Sequence, residues 1–168
     1  MSVGLAEIRQ AAEAISGQVV RTPLMRAERL SQLYGCELHL KLENLQITGS
    51  FKDRGAWMKL QSLSDEQRRR GVIAMSGGNH AQGVAYHARR LGIPATIVMP
   101  EFAPFLKVER TRSFGARVVL TGDTLDASAL AAREIAAAEG LTFVHPYDDP
   151  AVIAGQGTIG LEMLRAQP

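Results

Sequence analysis

The chain has 168 residues, 46% of them hydrophobic and 21% charged, the balance of one globular unit with a sizeable core rather than of a disordered segment. Its 19 basic and 17 acidic residues leave a net charge of +2, and because the cations are scattered among acids, no nucleic-acid partner is expected. The single cysteine, Cys36, cannot close an internal disulfide, and neither a zinc-ligand spacing nor an apolar run of membrane length is present, so a cytoplasmic protein without metal or membrane attachment is expected.

Residues 5 to 16 combine helix formers with apolar positions at helical spacing and stop at Gly17. Thr22 and Pro23 mark a turn, followed by a second helical stretch over 26 to 34 that Gly35 ends. Residues 37 to 42 alternate apolar and polar side chains and predict a strand. The basic run Arg68 to Arg70 follows Asp65 and Glu66 and precedes Gly71, the pattern of a short helix whose cations oppose its dipole. From Gly71 onward, apolar runs at 72–75, 95–99, 117–120 and 141–144 alternate with helical segments near 80–91, 104–113 and 124–139. This rhythm predicts an α/β fold, an open parallel sheet flanked by helices, with any ligand beyond the carboxyl ends of the strands.

Two loops carry candidate chemistry. In ENLQITGSFKDRGA, Glu43 to Ala56, Gly49 and Ser50 make a turn and Lys52 sits where a helix starts. The positive end of the helix dipole favours the neutral amine there, which a nucleophilic lysine needs, although such a lysine read by itself is more often a solvated cation. In VIAMSGGNHAQGVA, a strand runs through Ser76, Gly77, Gly78, Asn79 and His80 into a helix. Two glycines allow close backbone approach and the helix start supplies free amides for an anion, yet an ordinary βα turn with an Asn cap reads the same way. His80 reads equally as a helix-start residue satisfied by the backbone, and no partner at ligand spacing gives it a metal role. The glycine spacing matches neither the dinucleotide fingerprint nor the P-loop.

In order and separation, the two loops resemble the cofactor-lysine motif and the substrate-carboxylate loop of the fold-type II pyridoxal-phosphate (PLP) enzymes, which include threonine and serine dehydratases, serine racemase, threonine synthase and cysteine synthase. The resemblance continues through APFLKVERTRSFGARVVL at 103–120 and HPYDDPAVIAGQGTIGLE at 145–162, the last especially similar to threonine dehydratases. It implies a tryptophan synthase beta-like fold, incomplete at the C-terminus. The implied layout is the start of a large domain over 1–49, a small α/β domain over 50–145 and a return to the large domain over 146–168.

It further implies pyridoxal 5'-phosphate carried by Lys52, which also removes the Cα proton, with Phe51 against the cofactor ring and Asn79 at the ring's 3'-oxygen. Ser76, Gly77, Gly78, Asn79 and His80 would bind threonine or serine, with Ser76, His80 and the amides of Gly77 and Gly78 on its carboxylate; the substrate would leave as a 2-oxo acid and ammonia, and the full-length enzyme would be a homo-oligomer. A noncatalytic remnant that keeps the amino-acid-binding loop, a racemase and a β-replacement synthase are the other readings. Racemases of this family place a serine where Gly77 stands. A Gly-rich phosphate loop and a hydroxyl or thiol residue at the pyridine nitrogen are absent up to Pro168, so the chain by itself is expected to lack turnover.

Overall fold

The computed structural model describes residues 2–167, so Met1 and Pro168, the outer limits of the expected domains, lie outside the described residues. Helix α1 (Leu5–Ala14) is followed by strand β1 (Leu24–Arg26), helix α2 (Glu28–Tyr34) and strand β2 (His39–Lys41). The two strands pair antiparallel, Met25 opposite Leu40. The helix expected from residue 26 therefore starts two residues later, because Leu24 to Arg26 find a partner strand, and helical spacing over one turn cannot anticipate such a pairing.

Beyond a 3-10 turn at Glu43–Leu45 come α3 (Lys52–Gln61) and α4 (Asp65–Arg70). Helix α4 is the short helix expected from the Arg run: Ser64 caps it in a capping box with Gln67, and Gly71 ends it at φ 102°. The alternating region then gives β3 (Val72–Met75), α5 (Asn79–Arg90), β4 (Ala95–Met99), α6 (Phe105–Ser113), β5 (Arg117–Leu120), α7 (Leu125–Glu139), β6 (Thr142–Phe143) and α8 (Pro150–Ala166). Asp149 caps α8 by accepting from the amides of Ala151 and Val152, with Pro150 in the first turn.

The four later strands form a parallel sheet in the order β5-β4-β3-β6. Alternate residues of β3 serve opposite faces: Val72 and Ala74 pack with Leu60, Val84, Ala88, Ile97, Met99 and Val108 beneath α5 and α6, while Ile73 packs with Val98 and Ala132 beneath α7. The chain thus winds from β3 outward to β5 with helices on one face, then returns to the other side of β3 through α7 on the opposite face. Strands β3 and β6 are neighbours, and in open α/β sheets ligands bind beyond the carboxyl ends of the strands. Helix α3 packs on both α5 and α8, and α8 also packs on α1. This sets the lysine motif between the sheet's helical layer and the flanking segments.

Candidate active site

The segment that follows β6 gathers the two loops singled out in the sequence. Lys52 is the first residue of α3 and its Nζ donates to the carbonyl oxygen of Pro146 at 2.6 Å, just past β6. His80, the second residue of α5, lies 3.0 Å through Nε2 from the carbonyl oxygen of Val144. Two residues apart on one short segment, these carbonyls bring the amine and the imidazole together.

Burial lowers the Lys52 pKa from its ordinary value. The sequence points to the helix dipole for this effect, whereas in the folded protein the cause is desolvation. Lys59, the next lysine of α3, is committed elsewhere: its Nζ lies 2.6 Å from Asp149 Oδ2. Phe51 immediately precedes the helix with its ring partly exposed, and Lys52 Nζ stands 4.9 Å from the ring centroid.

On the facing loop, Ser76 Oγ accepts from the Gly78 amide at 3.1 Å, which leaves the hydroxyl hydrogen free to donate outward. The Gly78 amide is therefore engaged inside the loop rather than turned to a ligand. Gly77 lies against the next βα connection, where a Cβ would come within 3.3 Å of the Pro100 ring. Asn79 opens α5 on the exposed side, its Oδ1 accepting from Lys107 Nζ at 2.6 Å. His80 is buried, and its pKa is pushed down to about 4, chiefly by desolvation and against the Val144 hydrogen bond, with the positive charge of Lys52 also contributing. A neutral ring that donates from Nε2 leaves Nδ1 as an acceptor, and that nitrogen has no partner among the described residues. One ring nitrogen is met by backbone, as a helix-start histidine would be, while the other is buried without a partner among the described residues.

Several contributors carried no signal of their own in the sequence. Arg54 is fully buried and donates to both oxygens of Glu43, at 2.9 and 2.8 Å, to both oxygens of Glu162, at 2.7 and 3.0 Å, and to Thr158 Oγ1. Lys41 adds a second cation on Glu162. Burial is the largest single influence and works against charge on the two carboxyls, but Arg54, together with Thr22 and Gln46 at Glu43 and with Lys41 at Glu162, outweighs it and lowers both pKa values. This network bolts α3, and so Lys52, to α8. Gln156 of α8 donates to the same Pro146 carbonyl that receives Lys52, at 3.3 Å. Gly83 was the one legible sign: a glycine inside a helical pattern marks close approach, and here it meets the Lys52 backbone.

A family model described as pyridoxal-phosphate dependent enzyme matches residues 15–168. The chain is 52% identical over 166 residues to an L-threonine ammonia-lyase of Thermotoga maritima, covering 99% of this chain and 41% of that protein. It is 52% identical over 163 residues to a catabolic L-threonine dehydratase of Staphylococcus aureus, covering 96% and 47%. The chain thus spans less than half the length of these relatives. Among solved structures, maize serine racemase superposes with a TM-score of 0.95 at 35% identity, covering all of this chain and 51% of that one. A T.th. threonine deaminase superposes with a TM-score of 0.87 at 46% identity, covering 96% and 51%. With a desolvated lysine held at the end of β6 and a matching family model over nearly its whole length, the chain belongs to the pyridoxal-phosphate dependent enzyme family.

Proposed function

We propose that this chain forms the lysine-bearing part of a threonine ammonia-lyase, which converts L-threonine or L-serine to a 2-oxo acid and ammonia. The observation that carries the reading is the convergence of Lys52 Nζ and His80 on the Pro146 and Val144 carbonyls. It sets an amine of lowered pKa against the glycine loop at the start of α5.

The residues fit the cofactor of the family. Lys52 would carry it, Phe51 would cover its ring, and Asn79 would meet the ring's 3'-oxygen. When bound, PLP supplies an electron sink for the charge left on Cα. Everything else falls to side chains. Lys52, its amine desolvated, takes the Cα proton, and the Pro146 carbonyl holds that amine in place when it carries the proton. The Ser76 hydroxyl and the amides that open α5 hold the substrate carboxylate, because the first amides of a helix have no carbonyl in a preceding turn to bond. His80 stays neutral at physiological pH and offers its buried Nδ1 as an acceptor.

The small α/β domain is proposed to span 50–145, within which the parallel sheet and α5 to α7 all fall, flanked by parts of the large domain at 1–49 and 146–168. Lys52 then lies where the domains meet, since α3 packs on both α5 and α8. No helix of the described residues is long and apolar enough to cross a membrane. A cytoplasmic, homo-oligomeric full-length enzyme completes the proposal; the exposed thiol of Cys36 suits a reducing compartment.

Racemization is the second reading, favoured by the close superposition on maize serine racemase. Gly77 weighs against it, since glycine offers no acid or base on the face opposite Lys52. Two measurements test the proposal. After incubation with PLP and borohydride reduction, the protein should bear the pyridoxyl mass on the peptide containing Lys52 and nowhere else, and label on another lysine would overturn the assignment. L-threonine supplied to the full-length enzyme should be consumed to the 2-oxo acid, and conversion to D-isomers alone would favour the racemase.

A further inference from the structure

We propose that Lys107 is a positioning residue that fixes the amide of Asn79 with its nitrogen toward the cofactor; the inference rests on the proposed function, in which Asn79 meets the cofactor ring. Asn79 is exposed at the start of α5, and among the described residues its side chain makes one hydrogen bond, from Lys107 Nζ at 2.6 Å. An ammonium group has three donors and no acceptor, so only the oxygen of the amide can face it. With Oδ1 committed, the Nδ2 hydrogens necessarily point the other way, as donors to an anionic oxygen. Left alone, an exposed asparagine amide samples both orientations, and half of them would present an oxygen to that anion.

Lys107 is itself held. Its amide donates to the Pro104 carbonyl at 2.8 Å, and its own carbonyl accepts from the hydroxyl of Thr111, which is fully buried. The next residue, Val108, is part of the core beneath α5. The turn leading into α6 also abuts the glycine loop, through Pro100 and Ala103 against Gly77. Lys107 forms no ion pair among the described residues; its one side-chain partner is the neutral Asn79 oxygen. A half-buried cation that spends its charge on a neutral amide is well suited to orienting that amide, and its charge strengthens the bond.

The test is a double-mutant cycle between Lys107→Met and Asn79→Ala, read by PLP titration of the protein and by the pH midpoint of the bound cofactor's visible absorbance. Lys107→Met should raise the Kd for PLP about fivefold to tenfold, as expected for one oriented hydrogen bond, and move the midpoint upward because the anionic oxygen loses its donor. Lys107→Arg, which still only donates, should restore both to within about twofold. In the Asn79→Ala background, Lys107→Met should add less than about twofold.

Equal losses in both backgrounds would show that Lys107 acts independently of Asn79 and would overturn the inference. An unchanged Kd and midpoint in Lys107→Met, with both shifted in Asn79→Ala, would also overturn it while leaving the proposed function intact. If Asn79→Ala shifts neither, the placement of Asn79 at the cofactor fails and the inference fails with it. Circular dichroism of each variant separates these outcomes from loss of fold.

Discussion

A Cβ on Gly83 would lie 3.3 Å from both the carbonyl carbon and the carbonyl oxygen of Lys52, so the backbone of α5 rests directly on the residue proposed to carry the cofactor. The obstruction is backbone, which cannot rotate away as a side-chain end can. Gly83→Ala is expected to displace the start of α3, to cost about 1–3 kcal/mol of stability as overpacking does, and to weaken PLP retention. Gly155→Ala should be the more damaging of the two, because its Cβ would come within 2.5 Å of the Arg54 carbonyl oxygen on the other side of α3. Thermal melts of the two variants check the order, and equal stability with the parent would contradict the close packing.

Arg54→Met removes the cation from a buried network and leaves Glu43 facing its loss, while Glu162 keeps Lys41. Breaking a buried pair in this way costs about 3–5 kcal/mol. Lysine is a poor substitute, since the planar fork that grips both carboxylates has no counterpart in an ammonium. Urea unfolding should place Arg54→Lys closer to Arg54→Met than to the parent. Parent-like stability in either variant would mean that the network does not hold α3 on α8.

Acid should destabilise the protein through its buried histidines. The His87 pKa is pushed down to about 3, chiefly by burial with Arg90 adding to it, and that of His80 to about 4. In the unfolded chain both sit near ~6.5, so below that pH the unfolded state takes up protons that the folded state refuses. Their contribution to stability is whole above about pH 6.5 and is lost progressively as pH falls through about 4 for His80 and about 3 for His87. Asp53, whose buried carboxyl lies 3.9 Å from His87 Nε2, has a raised pKa and acts in the opposite sense, losing stability as pH rises through it. Two histidines displaced this far outweigh it. Urea midpoints measured across this range should fall with pH, and His87→Phe, which keeps a ring beside Trp57, should flatten the slope. A slope unchanged in that variant would rule His87 out as a source.

Gly77→Ser tests what position 77 permits. Its Cβ would press on the Pro100 ring at 3.3 Å, a contact relieved by a shift of a few tenths of an ångström, so the variant should fold with a small loss in melting temperature. In the full-length enzyme it should raise D-serine formation from L-serine, by adding a hydroxyl to the loop facing Lys52. Substantial D-serine from the unmodified enzyme would instead overturn the preference for elimination.

Local chemistry sufficed for much of this protein. The strands at 72–75, 95–99 and 117–120, the helices between them, the Ser64-capped helix and the helix after Asp149 are written in apolar period, caps and glycine stops, all of which act over a few residues. The two loops that meet beside the segment after β6 were legible for the same reason, as residue types at short spacing. Their meeting was not. Winding outward from β3 and returning beside it sets Val144 and Pro146 under His80 and Lys52, residues 64 and 94 positions away in the chain. Strand Leu24–Arg26 likewise exists through its pairing with β2, and the charge network on Arg54 joins residues up to 108 positions apart. Hydrogen bonds and desolvation depend on distance in space, and only the packed tertiary structure assigns those distances. It is why a lysine that reads as a surface cation in the sequence becomes a desolvated amine at the end of a sheet.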